Sequence, residues 1–556
     1  MIKMNQASLQ DEKGWEKVSV KLPQYDVEKV VKATHDNPIW LHFGAGNIFR
    51  GFVGGLQQNL LNQGLCDRGI IAAETFDYDI VRKIYEPYDN LTMNITLKAD
   101  GTMSREILGS ITEAVCADSG NAASMERLNE IIRNPELQMI SFTITEKGYA
   151  LKAPDGAYMP VVLADFAAGP GKGKHAMSVV AGLLYERYKA GELPLAVVSM
   201  DNCSHNGEKL QNSILTIARE WVQNGNVERK FLTYLEDKSR VSFPWSMIDK
   251  ITPRPAEVVE KALEADEIRD MQPIITSRNT YIAPFVNAEE AQYLVIEDQF
   301  PNGRPALEKA GVYMTDRDTV NCTETMKVTT CLNPLHTAMS VYGCMLGYTL
   351  ISAEMEDEDI VNLVKTLGYK EGLPVVVDPK ILSPKEFIDE VVEKRLTNPF
   401  MPDAPQRIVT DTSQKVGIRF GETIKKYVER GEDVKKLNAL PLALAGWLRY
   451  LLAVDDEGNE IEISPDPLKE TLQKALAGIV AGQPESCQGQ LTDILSNAEI
   501  FGVNLVEIGL ASKIEQIFRE ELAGNGAVRA TLRKYLNIRF TNEQKEINVK
   551  QSFPSY

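Results

Sequence analysis

Along the first half of the chain, short unbroken apolar runs alternate with stretches whose apolar residues recur at helical spacing. Residues 38–43 read as a buried strand, and Gly44-Ala45-Gly46-Asn47 follows at once. Phe52, Leu56, Leu60 and Leu61 mark a helix over 52–64 that stops at Asn62-Gln63-Gly64. Residues 69–73 form a second strand ending in Glu74, and further strands are expected at 139–145 and 195–200. A proline-rich connector over 242–255, a charged helix over 256–271 and a strand-like run over 281–286 complete this half. This is the rhythm of an α/β domain with a parallel sheet.

Beyond residue 296 the period changes. Long helical patterns occupy 334–351, 357–367, 384–396, 415–429, 440–454, 467–481, 488–500, 504–522 and 525–535. The expected fold class is α/β, with a Rossmann-type dinucleotide-binding domain over 1–295 and a mainly α-helical C-terminal domain over 296–556. A chain of 556 residues exceeds what one hydrophobic core usually organises, which fits two domains. The acidic run over 354–359 reads as a solvated helix start rather than a metal site.

Composition narrows the function. With 44% hydrophobic and 25% charged residues the chain is an ordinary soluble globular sequence. It shows no apolar window of membrane-spanning length and no apolar leader core, so a cytoplasmic location is expected. Its seven cysteines form no CxxC pair and read as small buried side chains; no metal is expected. A formal net charge of −18 argues against nucleic acid and anionic membranes as partners. An anionic substrate would need positive charge supplied locally.

Strand, glycine turn, helix, strand and acidic residue is the order of a dinucleotide-binding unit. Gly44 permits the tight turn, and Gly46 lets the backbone approach a pyrophosphate. The helix start at Asn47 and Ile48 aims amide N–H groups at that pyrophosphate. Two departures stand out: Phe49 occupies the third glycine position, and Glu74 lies beyond the usual spacing of about 20 residues. Arg50 can fold back on a phosphate or be solvated. The turns after the later strands, with Thr145 and Glu146 in one and Asn202 in the other, should face the cofactor or substrate. In the connector, Asp249 is either a surface charge or a buried, functionally placed carboxylate.

The segment from Glu324 to His336, ETMKVTTCLNPLH, offers a carboxylate, an amine, an amide and an imidazole. These are the parts that move a proton on and off an alcohol oxygen. Lysine can act as the base if burial and neighbours lower its pKa from about 10.4. Amide donors can stabilise a developing alkoxide.

In order along the chain, FGAGNIFRGF, TITEKGY, SMDNCSHNG, FPWSMIDKITP, KVTTCLNPLH and NPFMPDAPQRIVTDTSQK resemble the signature segments of the polyol-specific long-chain dehydrogenases, the mannitol dehydrogenase family. The resemblance implies NAD(H) or NADP(H), an active site between a Rossmann-type and a helical domain, and no catalytic metal. It places Lys327 as the catalytic lysine, Asn333 and His336 as the polar residues after it, and Asn202 as a second amide. Glu324 matches a carboxylate that helps gate the lysine's proton, while Asp249, Arg407 and Lys415 match pocket residues. Glu74 favours NAD(H) by accepting from a ribose 2′-OH. Among family substrates a small sugar acid or polyol is implied, with reduction of D-fructuronate to D-mannonate preferred. Mannitol/fructose and tagaturonate are the alternatives, and a non-catalytic dinucleotide sensor is the reading of a different class. The sequence assigns no oligomeric state.

One spacing departs from the family. Lys327 to Asn333 spans six residues and Lys327 to His336 nine, one more in each case than the family's interval. On an uninterrupted helix, at about 100° per residue, the extra residue would turn Lys327 away from the other two. Either a π-bulge absorbs it, or a helix restarts at Asn333-Pro334 with asparagine as the N-cap.

Overall fold

The computed structural model describes residues 2–536; the last residues of the expected second domain lie outside the described residues. Six apolar runs pair side by side: β1 (Trp40–Phe43), β2 (Ile70–Glu74), β3 (Ile111–Cys116), β4 (Met139–Phe142), β5 (Leu195–Ser199) and β6 (Val241–Ser242). They form one all-parallel sheet in the order β3-β2-β1-β4-β5-β6. The unbroken apolar patterns follow from burial on both faces. Leu41, Phe43, Ile140 and Phe142 pack with Leu128, Ile131 and Trp221 on one side. Trp40, Ile70, Ala72, Met139 and Val198 pack with Phe49, Phe52 and Leu56 on the other.

The strand order reverses between β1 and β4, which pair in register from Trp40–Met139 to Phe43–Phe142. In a doubly wound sheet the ligand crevice opens at that reversal, beyond the carboxyl ends of the two strands. The glycine turn and the Thr145 turn therefore flank one crevice.

Two smaller sheets were not legible in the apolar pattern. Thr92–Leu97 and Met103–Leu108 form an antiparallel pair, and Phe285–Glu289 lies parallel beside the first of them. The connector over 242–255 contributes a strand of its own, Ser246–Asp249, antiparallel to Tyr293–Glu297, which in turn pairs with Tyr313–Thr315. Because these last strands belong to the first unit, the chain divides later than expected. Compact units comprise Met1–Glu324 with Pro379–Ile381, and Thr325–Asp378 with Leu382–Tyr556. The division falls inside one helix, Arg317–Met326.

The second unit is helical. Ala439–Tyr450 (ALPLALAGWLRY) is buried at every position, as a helix apolar all round must be. It packs against Asn333–Met345 and Ala511–Glu521. π-Helical turns fall within or at the end of expected helices at Thr366–Gly372, Val391–Arg395 and Gly417–Gly421, and another lies at Lys327–Cys331, before the expected helix at 334–351. Among the described residues, no helix is long and apolar enough to cross a membrane.

Candidate functional site

The glycine turn has the geometry its sequence requires. Gly44 sits at φ +100°, and a Cβ there would meet the Thr143 carbonyl oxygen at 2.2 Å, so only glycine fits between β1 and β4. A Cβ on Gly46 would meet nothing within 4 Å, so this main chain is open to a ligand. Arg50 N–H donates to Gly46 O, which starts the helix at Asn47 and leaves first-turn amides available to an anion. Asn47 Oδ1 is buried with no hydrogen-bond partner. An open backbone approach, a helix start and an orphaned acceptor together fit a dinucleotide.

Two expected cofactor residues have other work. Arg50 is fully buried, and its guanidinium donates to Ala283 O at 2.9 and 2.8 Å and to Phe285 O at 3.1 Å. It neither binds phosphate nor is solvated: it ties the helix to the neighbouring sheet, and burial pushes its pKa down to about 10. It lies in a π-helical turn, Phe49–Val53, where Phe49 stacks on His42 with ring centroids 4.0 Å apart. Glu74 is buried at the end of β2, accepting from Ala45 N–H at 2.8 Å through Oε2 and from Phe76 and Asp77 N–H at 2.8 and 3.1 Å through Oε1. It braces the glycine turn, a role the sequence did not reveal. Beside it, Phe76 is 63% exposed with Arg278 over its ring at 5.0 Å, offering an aromatic face at the end of β2.

The turn after β4 is strained. Thr145 has φ +66° and ψ 160°, an arrangement that costs roughly 1–3 kcal/mol for a non-glycine residue. Asp201, at the end of β5, holds it there, accepting from Ile144 N–H at 3.0 Å and Thr145 N–H at 2.8 Å. Tyr149 O–H donates to the same carboxylate at 2.5 Å. Burial pushes the Asp201 pKa up. The next residue, Asn202, is exposed. Glu146 pairs with Lys209 at the surface. Asp249 is buried at 6% exposure, which settles its two readings in favour of an interior carboxylate. Glu324 receives a hydrogen bond from Ser204 Oγ.

In the second unit the extra residue before Asn333 is absorbed as a π-helical turn. Residues Lys327–Cys331 adopt it, and Leu332 N–H donates to Lys327 O at 3.1 Å, a five-residue step. Leu332 then leaves helical geometry, at φ −130°, and a new helix runs over Asn333–Met345 with Pro334 in its first turn. Both proposed devices are present, with one correction: Leu332, not Asn333, is the N-cap, and Asn333 is the first helical residue. Lys327 is buried at 2% exposure.

His336 Nε2 stands 3.5 Å from Asp403 Oδ2 and has no hydrogen-bond partner. Burial, then the positive charges of Arg407, Arg419 and Arg395, push its pKa down to about 3, so the imidazole is neutral at physiological pH. Arg407 projects with its side chain 69% exposed and is matched by Asp403 in a bidentate pair, Nε–Oδ1 2.6 Å and Nη2–Oδ2 2.7 Å. Lys415 Nζ donates to Thr410 O at 2.5 Å, and burial with Arg419 and Arg407 nearby lowers its pKa. Sequence reasoning missed Arg395, Arg419 and Asp403. Arg395 and Arg419 sit in π-helical turns, whose period no apolar pattern displays. It also misread the acidic run: Asp357 caps the helix Glu358–Lys365, but Glu354 is wholly buried.

Comparison with known proteins follows this division. A family model described as the mannitol dehydrogenase Rossmann domain matches residues 38–309, and one described as the mannitol dehydrogenase C-terminal domain matches residues 319–520. A D-mannonate oxidoreductase of Thermotoga maritima is 51% identical over 534 residues, 96% of this chain and 98% of its own. Among solved structures, a substrate-free D-sorbitol dehydrogenase superposes with TM-score 0.76 at 24% identity, covering 92% of this chain and 97% of its own. The Pseudomonas fluorescens mannitol 2-dehydrogenase ternary complex with NAD and D-mannitol gives TM-score 0.68 at 24% identity, covering 97% and 100%.

Proposed function

The chain belongs to the mannitol dehydrogenase family, and from that premise we propose that it is an NAD(H)-dependent oxidoreductase reducing D-fructuronate to D-mannonate and catalysing the reverse. The observation that carries the substrate is the 51% identity, over nearly the whole of both chains, with a protein named for D-mannonate.

NADH, when bound, supplies the hydride that the ketone carbon receives. The protein's part is the proton and the positioning. The Lys327 ammonium donates a proton to the carbonyl oxygen, and in the oxidative direction the neutral amine takes it back. The Asn333 amide stabilises the developing alkoxide, and the family resemblance gives Asn202 the same task. Neutral His336 binds an adjacent hydroxyl without placing a fourth positive charge beside Arg395, Arg407 and Arg419. The negative charge of Glu74 at the end of β2 disfavours a 2′-phosphate, which supports NAD(H) over NADP(H). Local cations around His336 answer the condition set by a net charge of −18, that an anionic substrate find its own positive surroundings.

A non-catalytic sensor would rest on a displaced lysine, and the π-helical turn removes that basis by absorbing the extra residue. The test is NADH oxidation by the purified protein on D-fructuronate, D-tagaturonate and D-fructose. D-Fructuronate is expected to exceed D-fructose by orders of magnitude in kcat/KM, and the reverse order would overturn the assignment.

A further inference from the structure

Two fully buried arginines, Arg50 and Arg187, are tied to main-chain carbonyls. Arg50 donates through both terminal nitrogens to the carbonyls of Ala283 and Phe285, leaving its buried Nε unpaired, and Arg187 donates to the carbonyls of Ile132, Asn134, Leu137, Leu193 and Pro194. Arg419 is different. Its Nη1 donates to Thr337 Oγ1, and among the described residues it has no carboxylate partner. A guanidinium carries five N–H donors in a planar fork, so most of this one's capacity is unassigned. Burial alone pushes its pKa down to about 10.

Its surroundings belong to the candidate site. Arg419 lies in the π-helical turn Gly417–Gly421, which packs against the π-helical turn Lys327–Cys331. Thr423 Oγ1 fastens the two stretches by donating to Thr329 O at 3.0 Å. Thr337, its hydroxyl partner, follows His336 directly on the helix Asn333–Met345. Arg407, by contrast, already has a full bidentate partner in Asp403. Binding a substrate carboxylate through Arg407 would require breaking that pair; binding through Arg419, half-buried and bonded only to the Thr337 hydroxyl, would complete its coordination.

We propose that Arg419, assisted by Lys415, is the residue that recognises the substrate's carboxylate, and that Arg407 instead holds Asp403 beside His336. This rests on the hexuronate reading above and assigns its specificity to one side chain. Carboxylate oxygens accept two parallel N–H bonds from the free edge of the fork, the geometry that arginine provides and lysine does not.

The experiment measures the ratio of kcat/KM for D-fructuronate to that for D-fructose in the full-length wild type, Arg419→Gln and Arg419→Lys. A charge-assisted bond contributes about 1.5–3 kcal/mol, so Arg419→Gln should lower the ratio on the order of 10- to 100-fold, chiefly through KM for D-fructuronate. Arg419→Lys keeps the charge without the fork and should lie between; it is also the variant to read if Arg419→Gln fails to fold. A ratio that stays at the wild-type value in the folded variants overturns the role of Arg419 while leaving the hexuronate reading intact. A wild type that reduces D-fructose but not D-fructuronate overturns both.

Discussion

Glu354 is fully buried, and neither of its carboxyl oxygens has a hydrogen-bond partner. It is pressed against the helix Asn333–Met345: a Cβ on Gly343 would lie 1.9 Å from Oε1. Burial first, then the charges of Asp357 and Asp403, push its pKa up from 4.5 to about 9. The consequence for stability has a definite sign. Below pH 4.5 the group is protonated in both folded and unfolded chains and has no effect. As pH rises toward 9 the unfolded chain releases the proton and the folded one keeps it, so stability falls. At about 1.36 kcal/mol per unit, the loss at pH 7 is about 3 kcal/mol, and at pH 5 it is under about 1 kcal/mol. Glu354→Gln keeps the shape and removes the titration. Its urea midpoint, followed by far-UV ellipticity, should exceed the wild-type midpoint by a margin that widens from pH 5 to pH 8. Parallel midpoints across that range would show that Glu354 ionises normally and would refute the reasoning.

Other consequences concern the cofactor turn and the catalytic stretch. Gly46→Val should fold normally, because its Cβ enters open space, yet weaken NADH binding at least tenfold by fluorescence titration; Gly44→Ala should lose fold stability as well, because its Cβ meets Thr143 O. Nitrogen-15 NMR of His336 should show a neutral ring with no titration from pH 5 to pH 8, whereas a midpoint near 6.5 would contradict the influence of its arginine neighbours. That depressed pKa also means that stability is lost as pH falls from about 6.5 toward 3. Deleting Val328 restores the shorter lysine-to-asparagine interval and forfeits the π-helical step. Because that interval is the family's own, turnover should stay within about tenfold of wild type, and a fall of roughly 100-fold, the scale of an ångström-level misplacement, would show that the π-helical turn does more than absorb the extra residue.

The parallel sheet was legible because both faces of its strands are buried, so β1, β2, β4 and β5 read as unbroken apolar runs. The antiparallel pair at Thr92–Leu97 and Met103–Leu108 was not, because polar residues such as Asn94, Ser104 and Glu106 interrupt it. Of the site, the types and positions of Lys327, Asn333 and His336 could be read directly, and their extra spacing even announced a break in the helix. What the chain could not announce was charge placement. Arg50 and Arg419 look alike in sequence, each next to a phenylalanine and within two residues of an isoleucine, yet one is bonded to carbonyls and the other faces a hydroxyl alone.

The central claim is that Lys327, carried on a π-helical turn, supplies the proton for reduction of a keto-hexuronate. It is tested most directly by comparing Lys327→Ala with the wild type in two readouts on the same preparations: kcat for D-fructuronate reduction at pH 7, and the NADH dissociation constant. General acid catalysis by a positioned side chain contributes about 100- to 10,000-fold, so kcat should fall by that order while NADH affinity changes by less than about threefold. Turnover within about tenfold of wild type, with NADH binding intact, would contradict the account.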